Sequence, residues 1–166
     1  MKATINSYRQ RRRMKLSEIL KPEAIISDIK ARDKMGILKE MIQTVTEQFP
    51  SLDKGILLQI LLEREKLGST GIGDGVALPH GKVKELSQLQ SYFGRSKEGL
   101  CFDSIDEQPA HLFFLLLAPE NSVGIHLKAL AKISRMLKDG NFRQRLLAAE
   151  SRDKIYQILM DKNEEF

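Results

Sequence analysis

Eight residues, His111-Leu-Phe-Phe-Leu-Leu-Leu-Ala118, constrain this 166-residue chain more than any other segment. From Leu112 to Ala118 the run is apolar without interruption. That length suits a strand and falls far short of the roughly 20 residues that cross a bilayer. A strand with no polar alternation is buried on both faces, so it belongs in the middle of a sheet covered on both sides. Pro119 stops it.

The remaining segments supply the covering layers. Ala24-Ile25-Ile26 reads as a short strand after Pro22. Asp33 caps a helix whose apolar residues Leu38, Met41, Ile42, Val45 and Phe49 recur at helical spacing, and Pro50 ends it. Ser51 or Asp53 starts a second helix through Ile56, Leu57, Ile60 and Leu61, closing near Lys66 with Gly68 beyond. Val76-Ala77-Leu78 and Leu89–Gly94 are strand-like. Three helices follow: 123–138, 141–149 after Asn141, and 152–161 after Ser151. Helices interleave with strands. The expected fold is α/β, a compact single domain with a central β-sheet between helical layers.

Charge separates the chain into two parts. Residues 1–13 hold Lys2, Arg9, Arg11, Arg12 and Arg13 and no acid. Removing those five from 27 basic residues leaves 22 over 14–166, against 22 acidic ones, so the net +5 is a property of the tail alone. The tail could touch nucleic acid or anionic lipid, but a disordered, solvated end is the favoured reading; it is not a signal peptide, because no apolar segment follows its arginines. The balanced remainder gives no reason to expect specific nucleic-acid binding or membrane insertion. A single cysteine, Cys101, excludes an internal disulfide framework, fits a reducing, cytoplasmic compartment, and is expected to be a buried or semi-buried, inert thiol.

Gly68 to Gly75 (GSTGIGDG) holds four glycines in eight residues and is expected to be a loop. Such a loop can aim several backbone N–H groups at one anion, with the Ser69 and Thr70 hydroxyls as further donors. Neither nucleotide-binding glycine pattern is present: there is no G-x-x-x-x-G-K-[ST], and Val76 stands where a third glycine is needed after Gly71 and Gly73. His80 follows at the end of a short strand, between Pro79, whose φ is fixed, and Gly81, which adds no bulk. Two readings of His80 stand. It is a structural histidine at a turn, or a neutral imidazole presented as a nucleophile to an activated phosphoryl group.

Three other residues bear on that choice. His126 lies near the start of the 123–138 helix, where an imidazole can donate to an anion. Arg64 precedes the glycine loop, either as a phosphate-binding cation or as a surface charge paired with Glu63 or Glu65. His111 opens the apolar strand as a strand-end residue. The three histidines are 31 and 15 residues apart with no carboxylate or cysteine at a set offset, which argues against a metal site. No cofactor is called for.

Leu61-Leu-Glu-Arg-Glu-Lys-Leu-Gly-Ser-Thr-Gly-Ile-Gly-Asp-Gly-Val-Ala-Leu-Pro-His-Gly-Lys82 resembles the active-site stretch of enzyme IIA components of the bacterial phosphotransferase system, mannitol/fructose type, and within it the nitrogen-regulatory branch. The likeness continues through Phe102–Pro109 and His126-Leu-Lys-Ala-Leu130, and spans a domain over 14–162. It implies a mixed sheet flanked by helices and phosphorylation of His80 on Nε2 by a histidine-phosphocarrier protein. It also implies that Arg64 and His126 are its partners in the site, and that Ser69, Thr70, Gly71 and Gly73 line it. Asp74 stands where nitrogen-type relatives often carry Asn, which places a carboxylate near the expected phosphoryl group. The implied partners downstream are regulated target proteins. The alternatives are a separate IIB subunit for a sugar-specific IIA, or contact alone in a non-catalytic regulator of the same fold.

Overall fold

The computed structural model describes residues 14–163. The segment 1–13, and the disorder expected of it, lie outside the described residues. In chain order the elements are α1 (Leu16–Ile19), a 3-10 turn at Pro22–Ala24, β1 (Ile25–Ile26), α2 (Lys34–Gln48), α3 (Lys54–Lys66), β2 (Gly71–Gly73), β3 (Val76–Ala77), β4 (His80–Lys82), β5 (Gln90–Leu100), β6 (Ala110–Ala118), α4 (Val123–Lys138), α5 (Gly140–Ala148) and α6 (Arg152–Asn163).

The apolar run is β6, and it is the centre of the sheet. Every residue from Leu112 to Ala118 is 2% exposed or less. Burying one such Leu or Phe side chain is worth about 1.5–3 kcal/mol, so this strand anchors the core. β5 pairs with it antiparallel on one side, Phe93 opposite Phe114, and β1 extends the sheet beyond β5 in parallel. On its other side β6 pairs in parallel with β3 and then with β4. The strand order is β1-β5-β6-β3-β2, with β4 also on β6. The sheet is mixed and flanked by helices. α2 and α3 pack on each other, α2 against β5 and α3 against β4, while α4 and α5 pack on β6 and α6 on β1.

Local chemistry explains the boundaries. Asp33 caps α2 by accepting from the Gly36 amide at 2.7 Å, and Asp53, not Ser51, caps α3 by accepting from Ile56 at 2.9 Å. Four expectations need correction. The Asp139 carboxylate, and not Asn141, caps α5, accepting from the amides of Asn141 and Phe142 at 3.0 and 3.2 Å. β5 runs on past Gly94 to Leu100, because the Arg95 side chain finds carbonyl partners inside the protein. The glycine segment is only partly a loop. Gly71–Gly73 forms β2, and Asp74 and Gly75 turn it back to β3 with φ of 56° and 75°, both in the left-handed region of a type I′ hairpin turn. Cys101 is exposed and not buried: Asp33 bridges its backbone beside α2, leaving the thiol at the surface.

Candidate functional site

β3 and β4 are one interrupted strand. Pro79, which has no N–H to give the ladder, separates them, yet its carbonyl still accepts from the Leu116 amide at 3.0 Å. Pairing resumes with His80 beside Leu116 and Lys82 beside Ala118. His80 therefore begins a strand where the sequence suggests the end of one. β4 and β6 run in parallel, so the chain leaving β6 enters α4 close to β4 and carries His126 back toward His80. The two rings meet edge to face with centroids 5.3 Å apart.

α3 brings the third group. A Cβ at Gly81 would lie 2.5 Å from the Ile60 Cγ2, so only glycine lets α3 settle this closely on β4. One turn along α3 from Ile60, the Arg64 Nε–H donates to His80 Nε2 at 3.0 Å, and the same guanidinium donates to the Gly68 carbonyl at 2.8 Å. Arg64 thus pairs with neither Glu63 nor Glu65.

These contacts define the imidazole. Nδ1 lies 2.8 Å from the Leu78 carbonyl, which can only accept, so Nδ1 carries the proton. The lone pair is on Nε2, where Arg64 now sits. Burial holds His80 below the ordinary histidine value. Its hydrogen bond to Leu78 works the other way, the Arg64 charge adds to the lowering, and Glu65 opposes it. The ring is neutral at pH 7. His126, 6% exposed, is also held low by burial, then by the neighbouring His80 and Lys82. Its Nδ1 is buried with no hydrogen-bond partner.

The other expected residues are engaged elsewhere. The Ser69 hydroxyl donates to the Phe102 carbonyl at 2.8 Å, and the Thr70 hydroxyl and amide both donate to the Glu65 carboxylate. Gly71 packs on Ser104 and Gly73 on Asp106. Several backbone N–H groups here are likewise taken: Gly71 donates to Ser69 Oγ, Asp74 to the Asp106 carboxylate and Leu78 to the Thr70 carbonyl. Asp74 is an exposed turn residue. His111 Nδ1 bonds the Ser96 carbonyl at 2.9 Å, as a strand-end residue would. Sequence reasoning gave no role to Lys82, although two-residue alternation in a strand puts it on the face of His80. It gave Glu65 none beyond pairing with Arg64. Among the described residues no group of three or more His, Cys, Asp or Glu is placed to hold a metal ion, and no helix is long and apolar enough to cross a membrane.

A ring nitrogen with a free lone pair, a guanidinium on it and a second imidazole beside it is chemically suited to receive a phosphoryl group. The family model for the phosphoenolpyruvate-dependent sugar phosphotransferase system, EIIA 2, matches residues 18–162. The chain belongs to this family. As an EIIA 2 protein it is a phosphocarrier component of that system. It is similar at 39% identity over 146 residues to a nitrogen regulatory protein of Bradyrhizobium diazoefficiens, the match covering 88% of this chain and 95% of that protein. A fructose-specific EIIABC component of Bacillus subtilis is 37% identical over 146 residues, which are 88% of this chain and 23% of that longer protein. The crystal structure of nitrogen regulatory protein IIA-Ntr from Neisseria meningitidis matches with a TM-score of 0.81 at 36% identity, covering 86% of this EIIA 2 chain and 97% of the other.

Proposed function

We propose that His80 accepts a phosphoryl group on Nε2 from a histidine-phosphocarrier protein, and that Arg64 and His126 stabilise the group in transit. The observation that carries this reading is the pair of contacts on one ring, with Nδ1–H fixed on the Leu78 carbonyl and the Nε2 lone pair facing the Arg64 guanidinium. In the transfer, the Nε2–P bond forms as the P–N bond to the donor histidine breaks, and the donor imidazole regains its lone pair. The proton stays on Nδ1, held by Leu78. Arg64 moves from Nε2 to the phosphoryl oxygens, where its planar N–H groups meet negative charge. Ser69, Thr70, Gly71 and Gly73 support this site from behind; the Ser69 and Thr70 hydroxyls and the Thr70 and Gly71 amides are already bonded within the fold.

The biological role that fits best is that of a cytoplasmic nitrogen-regulatory IIA protein, whose phosphorylation state alters contacts with regulated proteins. The overall likeness to the nitrogen regulatory proteins, near full length on both sides, favours it. The similarity to a fructose-specific EIIABC component supports a second reading, in which His80 hands its phosphoryl group to a IIB unit. Incubation with a phosphorylated histidine carrier should give an acid-labile, base-stable adduct, and His80→Ala should give none. Full labelling of His80→Ala would overturn the assignment. Onward transfer to a IIB acceptor would decide for the second role.

A further inference from the structure

We infer that Glu65 is a positioning residue for Arg64, acting through a clasp that it closes with Thr70 and Lys34. The inference rests on the proposed role of the His80 site. The Glu65 carboxylate is 6% exposed and takes the Lys34 ammonium at 2.6 Å. It also accepts the Thr70 amide at 3.1 Å and the Thr70 hydroxyl. Thr70 is itself 3% exposed. Lys34 lies 4.7 Å over the Phe102 ring, and the Phe102 carbonyl holds Ser69. The clasp is thus tied to β6-side structure through Phe102, which stacks edge to face on Phe113.

What it restrains is the crossing between α3 and β2. Leu67 is 84% exposed and Gly68 has a φ of 140°, so these two residues have little packing of their own. Yet the Gly68 carbonyl is the second anchor of the Arg64 guanidinium. Two anchors, His80 Nε2 and Gly68 O, fix the plane of the fork. When a phosphoryl group takes Nε2, only the Gly68 anchor remains, and its place depends on the buried Glu65–Thr70 contact two residues on. A buried carboxylate with three donors, one of them an ammonium, is hard to displace. An error of about 1 Å in a catalytic cation costs up to about 100-fold in rate.

The test uses the full chain and two readouts. The first is kcat and KM for transfer from a phosphorylated histidine carrier, in wild type, Thr70→Val, Thr70→Ser and Glu65→Gln, each also in an Arg64→Ala background. Thr70→Val, which keeps shape and loses the hydroxyl, is expected to lower kcat about tenfold with KM nearly unchanged, and Thr70→Ser to restore it. In the Arg64→Ala background Thr70→Val should cause no further loss, since the clasp acts through Arg64. Wild-type kcat in Thr70→Val, or an undiminished loss without Arg64, overturns the inference. The second readout needs no donor. The Arg64 Nε–H signal, protected by His80 in wild type, should lose protection in Thr70→Val and keep it in Thr70→Ser. Equal protection in all three overturns the clasp even if His80 proves not to be the acceptor. Failure of wild type to take up phosphoryl groups counts against the proposed function instead. Should Glu65→Gln fail to fold, the Thr70 pair decides the matter.

Discussion

Arg95 and Arg64 both direct their guanidinium groups at acceptors other than carboxylates, and they do opposite work. Arg95, 2% exposed, donates to the Ser27 carbonyl at 3.0 Å and to the carbonyls of Leu146, Leu147 and Ala149. It ties the middle of β5 to the open C-terminal end of α5, where unpaired carbonyls would otherwise be buried. Arg64 is only part-buried, and one of its two bonds goes to an imidazole lone pair. A carbonyl acceptor is permanent. A nitrogen lone pair can be claimed by phosphorus, and the guanidinium is then released beside the new charge. The identity of the acceptor, more than burial or charge, separates a structural arginine from one that is poised for chemistry.

The widest gap between the two should appear on replacing Arg95. Arg95→Ala strands several buried carbonyls and leaves a cavity, and is expected to cost about 4 kcal/mol of folding free energy. Denaturant or thermal unfolding measures it, and a loss below about 1 kcal/mol would erase the distinction. Arg64→Ala should do the reverse. Transfer to His80 should slow about 100-fold, equivalent to about 2.7 kcal/mol of transition-state stabilisation, while stability changes by less than about 1 kcal/mol. Wild-type transfer rates would make Arg64 a surface charge after all.

His126 sharpens the comparison from the other side. His126→Ala should slow transfer by about tenfold or more, with the product still phospho-His80, and His126→Gln should be milder because it keeps a donor. His126→Gln keeps most of the buried volume filled, so stability should change by less than about 1 kcal/mol. A clear drop in melting temperature for His126→Gln contradicts that.

The smallest effect is the dependence of stability on pH. Both His80 and His126 bind protons more weakly in the folded chain than in the unfolded one, chiefly because they are buried. Between their folded values and the ordinary histidine value, the unfolded state holds more protons, so stability rises with pH through that window and falls as acid is added. Melting temperature should decline from roughly pH 7 to roughly pH 5.5, and His80→Ala should flatten the slope. An unchanged slope in the variant would mean that His80 is not desolvated in solution.

Much of this was legible in the chain itself. The apolar run fixed on β6 as the central strand because only double-sided burial tolerates seven consecutive apolar residues. The helices declared themselves by period and by Asp33 and Asp53 as caps. β2 and β4 were hidden, since strands of three residues carry no period, and glycine weakens whatever pattern remains. Cys101 misled because burial statistics for cysteine say nothing of an edge beside α2. Arg95 lay beyond the strand expected at Leu89–Gly94, and only the end of α5 explains its place.

The sequence by itself determined that His80 would stand in a small-residue setting and that Arg64 and His126 were the basic groups worth setting beside it. Its own limit was distance: 16 residues separate Arg64 from His80, and 46 separate His80 from His126. Parallel pairing of β4 on β6 and the approach of α3 over Gly81 closed those gaps. The tertiary structure alone decided which ring nitrogen is free, because that follows from the Leu78 carbonyl meeting Nδ1. It also decided that the Thr70 hydroxyl and the amides of Thr70, Gly71 and Asp74 are spent inside the fold, because the chain folds the Glu65 carboxylate, the Ser69 hydroxyl and the Asp106 carboxylate against them.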